Sequence, residues 1–159
     1  MTIRPASEAD VPRMIEVFRR SFLSGFAFTA PFPIIQQWIR RNPETSRYPA
    51  HWAQMFVHER DGTITGLLQP TYDEINGLWI HPDYQGQGIG SHLLDFGETI
   101  IQERGHVRSW LTCSGFNPRA LGFYRARGYS VFRSSREMHE CGVEEEMFEM
   151  ERRLDGGRT

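Results

Sequence analysis

Gly86, Gly88 and Gly90 fall at alternate positions in the stretch HPDYQGQGIG, directly after one apolar run and directly before another. Glycine loses more conformational freedom on ordering than any other residue, so three of them here need a compensating reason. A strand that passes into a helix through a glycine-rich turn supplies one. The first amides of a helix have no partner within it, they sit at the positive end of its dipole, and bare backbone lets anionic oxygen reach them. The stretch therefore reads as a cradle for phosphate, and a diphosphate suits its length. It does not match GxxxxGK[ST], having no lysine, nor GxGxxG, because none follows the evenly spaced glycines at the required interval. Nucleoside triphosphates and dinucleotides are disfavoured. A tight turn that only packs helix on sheet would account for one or two of these glycines.

Other residues could act beside such a cradle. Asn117 before Pro118 has the chemistry of a helix N-cap, and Tyr124 lies seven residues on, two turns along the same face, so both can look into one cleft. A helix cap and a core aromatic are the plainer roles for this pair. His58 and His81 are suited to moving protons near neutral pH. Cys113 reads as a small buried apolar residue, with no histidine locally placed to activate it. His139, Glu140 and Cys141 are too few to suggest a metal centre, and no metal is expected. Every one of the 18 basic residues is arginine, so lysine is excluded as base or nucleophile.

The elements that must position these groups follow from local patterns. Residues 2–6 read as a short strand. Ser7 with Asp10 offers a capping-box match ahead of Val11, Met14, Ile15, Phe18 and Phe22 at helical spacing, with Pro12 near the start. The segment FLSGFAFTAPFP reads as an ordered loop whose aromatics cap the core or line a cavity, followed by a short helix around Ile34 to Arg41. From Trp52 two strand-like runs are joined by Asp61-Gly62, a tight hairpin turn. A third strand, EINGLWIHP, stops at Pro82, and Gly77 inside it predicts a bulge or a close approach to the backbone. After the glycines, Ile89, Leu93, Ile100 and Ile101 share a helical face that ends at Gly105. VRSWLTCSG is a strand, NPRALGFYRARG a short helix stopped by Gly128, and YSVFRSS a strand. EEEMFEMERRL has helical propensity residue by residue, which alone does not fix it. The order is mixed α/β.

Bulk properties narrow the function classes. A chain of 159 residues is most simply one domain, residues 1–154, with a loose tail over 155–159. A net charge of −2 and a pI near 6.3 leave no overall footprint for nucleic acid or an anionic membrane. No apolar stretch reaches the roughly 20 residues of a membrane span, and the start lacks the regions of a signal peptide. A cytoplasmic protein with two reduced thiols is the expectation.

Gln85, Gly88 and Gly90 reproduce the Q/R-x-x-G-x-G/A signature of the GNAT superfamily of acetyl-CoA-dependent N-acetyltransferases. LWIHPDYQGQGIG resembles that family's fourth strand and pyrophosphate loop, and NPRALGFYRARGY resembles its later motif. The resemblance implies an α/β fold: a mixed, mostly antiparallel sheet flanked by helices, splayed into an acyl-CoA cleft, with EEEMFEMERRL as the last strand. It implies backbone contacts from Leu78 and Ile80 to the pantetheine arm, with Trp79 between them on the other face. It further implies amides from Gly86, Gln87, Gly88, Ile89, Gly90 and Ser91 on the pyrophosphate, with Gln85 either in contact or only tying the loop together. Asn117 would share the coenzyme cleft. Tyr124 would also bind coenzyme and protonate the departing sulfur. Glu74 matches the position of a glutamate base in some members, with Asp73 beside it as an alternative and Thr112 where others carry an acid. The implied activity is direct acetyl transfer to a primary amine of a small molecule or peptide, through a tetrahedral intermediate. A non-catalytic acyl-CoA sensor and a transferase of longer acyl groups are the alternatives. Homodimers are common in that family, and the sequence leaves the oligomeric state and the acceptor open.

Overall fold

The computed structural model describes residues 2–156. Strand β1 (Thr2–Pro5) leads into helix α1 (Val11–Phe26), α2 (Phe32–Arg41) and α3 (Glu44–His51). Strands β2 (Phe56–Arg60), β3 (Thr63–Thr71) and β4 (Glu74–Ile80) follow, then α4 (Ile89–Glu103), β5 (Arg108–Ser114), α5 (Pro118–Ala126), β6 (Ser130–Met138) and β7 (Glu144–Arg153). The seven strands form one open sheet in the order β1-β2-β3-β4-β5-β7-β6, antiparallel at every junction except β4 with β5. This is the mixed, mostly antiparallel α/β architecture that the sequence implied. No helix among the described residues is long and apolar enough to cross a membrane.

Each face of the sheet carries a core. On one, Leu68, Ile75, Leu93, Leu94, Leu111, Tyr124 and Met150 pack between the sheet and helices α4 and α5. On the other, Met14, Val17, Tyr48, Val57 and Leu67 pack beneath α1 and α3. Met14, Val17 and Ser21 recur at helical spacing on the buried side of α1, and Pro12 occupies its first turn. Asp10 closes the turn before it, its carboxylate accepting from the Ser7 amide at 2.8 Å and from Arg4 at 2.8 Å. On α4, Ile89, Leu93 and Ile101 are buried as expected, while Ile100 is half-buried and Leu94, Gly97 and Glu98 complete the inward face.

Two expectations need correction. The aromatic segment after Phe22 is not all loop, since α1 continues to Phe26 because Phe18, Phe22 and Phe26 stack one turn apart, at 5.8 and 4.8 Å. Trp38 of α2 meets Phe22 and Phe26 edge-on at 4.9 and 5.1 Å, so these rings pin two helices together, and none of them lines the cavity described below. A third helix, α3, precedes the hairpin where none was expected. At the C-terminal end Leu154 donates its amide to the Val107 carbonyl and Asp155 pairs with Arg153, while residues 157–159 of the expected tail lie outside the described residues.

The turns behave as their residues require. Asp61 and Gly62 both adopt positive φ, 51° and 75°, which joins β2 to β3 by a tight hairpin. Between β3 and β4 the pairing shifts from Leu68↔Leu78 to Pro70↔Ile75, so Asn76 and Gly77 together oppose Gln69 in the expected bulge. Arg47 of α3 seals it, donating to the Asn76 carbonyl at 2.7 Å and to Gln69 at 2.9 Å. Strand β7, rich in glutamate and methionine, is extended because it pairs along its length with β5 and β6, a tertiary demand that overrides propensity.

Candidate active site

Strands β4 and β5 share one ladder pair, Glu74↔Trp110, supported by the Trp110 amide on the Asp73 carbonyl at 3.1 Å. Beyond it they separate. Leu78, Trp79 and Ile80 pair on one side only, with Leu68, Leu67 and Gly66 of β3, so their outer backbone groups face the gap. A cavity of about 460 Å³ fills that gap, lined by Leu78, Trp79 and Ile80 together with the glycine loop and α5. Alternation holds as expected: Leu78 and Ile80 pack toward α4, Trp79 toward α1.

The loop that follows is shaped by two of its three glycines. Gly86 and Gly88 adopt φ of +75° and +83°, which side chains resist, and Gly88 stands immediately before α4. Gly90 does not, and a Cβ there would meet Phe123 at an ordinary 3.5 Å. The first α4 amide bonded within the helix is that of His92, to the Gly88 carbonyl at 3.0 Å, leaving the amides of Ile89, Gly90 and Ser91 without an acceptor in the helix. Gly86, Gly88, Ile89, Gly90 and Ser91 all line the cavity. Gln85 also lines it, but its amide is committed: Nε2 donates to the Ile80 carbonyl at 3.0 Å and Oε1 accepts from Arg119. It ties the loop together. Gln87 is exposed outside the lining and accepts from Arg60. Among the described residues Arg119 is the one charged residue lining the cavity, with no carboxylate in that lining, so a chain of net charge −2 presents a positive pocket.

Helix α5 brings Asn117 and Tyr124 to the same wall. Asn117 Oδ1 caps the helix, accepting from the Ala120 amide at 3.2 Å, and the residue lines the cavity as well, so both expected roles coexist geometrically. Tyr124 is 9% exposed, and its hydroxyl has no hydrogen-bond partner among the described residues. Burial pushes its ionisation far above the ordinary phenol value, reinforced by Cys113 and Tyr129. It is a protonated donor at any working pH.

The other candidates lie elsewhere. Glu74 sits at the start of β4, half-buried and outside the lining, about 10 Å along the sheet from Leu78, since their partners Thr71 and Leu68 are three residues apart. Its carboxyl is raised by burial and by neighbouring Asp73, opposed by Arg47. Asp73 is engaged, accepting from Trp110 Nε1 at 2.9 Å. His58 is fully buried with Nδ1 on Thr65 at 2.8 Å, and His81 Nδ1 accepts from the Asp83 amide at 3.2 Å; burial lowers both. Neither lines the cavity. Thr112 is exposed on β5. Cys113 is buried and its thiol is pushed up to about 12, which suits a core residue rather than a nucleophile.

Sequence reasoning missed Ser21 and Gly25 of α1, and Tyr84, Arg119, Ala120 and Phe123, all of which line the cavity. The α5 residues carried a readable signal, since Ala120, Phe123 and Tyr124 share a face at helical spacing with Asn117. Ser21 and Gly25 are also one turn apart, but nothing in their spacing says which neighbour they face.

Comparison with known proteins agrees with this geometry. The model of the acetyltransferase (GNAT) family matches residues 11–129. The chain is 33% identical over 81 residues to a mycothiol acetyltransferase of Propionibacterium freudenreichii subsp. shermanii, an alignment covering 51% of this chain and 23% of that protein, so the chain spans about a quarter of that relative's length. A GCN5-related N-acetyltransferase from Rhodopseudomonas palustris superposes with a TM-score of 0.82 at 22% identity, covering 96% of this chain and 95% of that one. The PaiA N-acetyltransferase of Thermoplasma acidophilum, solved in complex with coenzyme A, gives 0.73 at 24% identity, covering 96% and 98%. At such identities these two structures establish the shared fold.

Proposed function

Because the chain belongs to the acetyltransferase (GNAT) family, we propose that it moves an acetyl group from acetyl-CoA directly onto a primary amine. The observation that carries this reading is the unpaired edge of β4 opening onto an amide-lined cavity with a single positive charge. An extended pantetheine arm would pair with Leu78 and Ile80 as a missing strand does, and the α4 amides with Arg119 would take the diphosphate. A backbone amide near Leu78 would polarise the thioester carbonyl. The amine nitrogen then attacks the carbonyl carbon, the carbon–sulfur bond breaks, and Tyr124 gives its proton to the sulfur. The proton lost by the ammonium goes through water to Glu74 before attack, and the one lost by the acetylated nitrogen restores Tyr124.

A coenzyme-binding module without catalysis is the second reading, favoured by the position of Glu74 outside the cavity lining. One experiment separates them. An amine panel supplied with acetyl-, succinyl- and longer acyl-CoA is expected to release coenzyme A thiol with the acetyl donor. Gly88→Asp is expected to abolish both binding and release, because a side chain is strained at φ +83° and a carboxylate repels phosphate. Tight binding with no thiol released for any amine would overturn transfer, and faster release from a longer donor would overturn acetyl specificity.

A further inference from the structure

Behind the cavity wall, four buried side chains from four elements form one continuous hydrogen-bonded chain. Gln37 of α2, His139 at the end of β6, Glu145 of β7 and Ser114 at the end of β5 are each less than a tenth exposed. Their donors can be assigned without ambiguity, starting from the backbone. The Cys141 amide can only donate, and it meets Gln37 Oε1 at 3.3 Å. That fixes the orientation of the Gln37 amide, so its Nε2 donates to His139 Nδ1 at 3.1 Å. His139 Nδ1 is then an acceptor, and the ring carries its proton on Nε2, which donates to Glu145 Oε1 at 2.9 Å. The second carboxylate oxygen accepts from the Ser114 hydroxyl at 2.6 Å, leaving the Ser114 oxygen to accept from the Phe116 amide at 3.1 Å. Each link in the chain joins one donor to one acceptor, and each end is a backbone amide.

The far end matters because Phe116 immediately precedes Asn117. The same short segment is held from a second side, where Thr29 donates to the Phe116 carbonyl, and the Asn117 amide lies where a Cβ on Gly25 would meet it at 3.4 Å. Contacts from the end of β5 and from the turn after α1 therefore hold the segment leading into the cap, and α5 in turn carries Tyr124 into the cavity.

We propose that the chain from Gln37 through His139 and Glu145 to Ser114 is a positioning relay for acyl transfer: it sets the Asn117 cap and, through α5, the Tyr124 hydroxyl. The inference rests on the transfer reading above. His139 and Glu145 are positioning residues, since neither lines the cavity. A buried hydrogen-bonded network specifies one arrangement, and breaking it at any link leaves polar groups unpaired and removes one of the holds on the segment.

Two measurements test the relay. Nitrogen NMR of the imidazole in the resting wild-type protein should show a ring protonated at Nε2 only; a proton on Nδ1 would overturn the assignment. His139→Asn keeps an acceptor for Gln37 and loses the link to Glu145, whereas Ser114→Ala breaks the chain next to Phe116. Each is expected to lower kcat roughly tenfold with the coenzyme A Kd within about twofold, because the amide loop is untouched. The double variant should be no worse than about the weaker single, since both act through the same bond from Ser114 to Phe116. Unchanged kcat in folded single variants, or losses that multiply, would overturn the relay. The NMR result needs no turnover, so its failure rejects the relay alone, whereas absence of thiol release from the wild type rejects transfer alone.

Discussion

Tyr124 lines the cavity and Glu74 lies outside it at the start of β4, and their environments set their expected behaviour. Burial keeps the Tyr124 hydroxyl protonated, so it can act only as a donor. Tyr124→Phe removes the donor and keeps the ring in the core, so kcat should fall about 10- to 100-fold while coenzyme affinity survives, which a titration of coenzyme A into the variant checks. Glu74 must be ionised to accept a proton, and its ionisation is raised by burial and Asp73. Activity should therefore fall with decreasing pH at a point above the usual carboxylate range, and Glu74→Gln should remove that acidic limb. A limb unmoved in the variant's pH–rate profile would assign the base elsewhere. At this scale the sequence was informative where the chemistry was local. The glycine loop and the Asn117–Tyr124 pair could be read because both lie within a few residues of a helix start. Ser21 and Gly25 could not, because their place in the cavity depends on how α1 crosses the sheet. Gly90 was read too generously, having neither a positive φ nor a tight contact.

Elements were legible where side-chain periodicity and turn chemistry agreed. The Asp61-Gly62 hairpin, the bulge at Gly77 and the capped helix α5 all follow from short-range rules. Strand β7 does not, since its residues favour helix one by one and only the neighbours on both sides make it extended. The end of α1 was obscured in the same way, because an aromatic cluster with Trp38 stabilises turns that glycine weakens. The start of α1 offers a test of element anchoring. The Arg4 guanidinium beside Asp10 holds that carboxyl at about 2, against an ordinary 3.8. A depressed folded value means the pair stabilises the fold above about pH 4 and loses this contribution as pH falls toward 2. Asp10→Asn should cost about 1–2 kcal/mol at neutral pH, allowing for solvent screening, and the difference from wild type in urea melts should vanish near pH 2.

For the molecule as a whole, the resemblance supplied the sheet's architecture but not how weakly its middle is stitched. Between β4 and β5 the sheet is joined by a single ladder pair, and helix α4 packed across both strands, the Trp110 indole on Asp73 and the Gln37–His139 link hold the halves β1–β4 and β5–β7–β6 together. The backbone seam is still the thinnest in the sheet, so amide exchange in the empty protein should divide into two protection classes, one for each half. A pantetheine arm lying in the gap would act as a zipper between them. Saturating coenzyme A should then merge the two classes and raise the melting temperature, making the donor substrate part of the scaffold that holds the sheet shut.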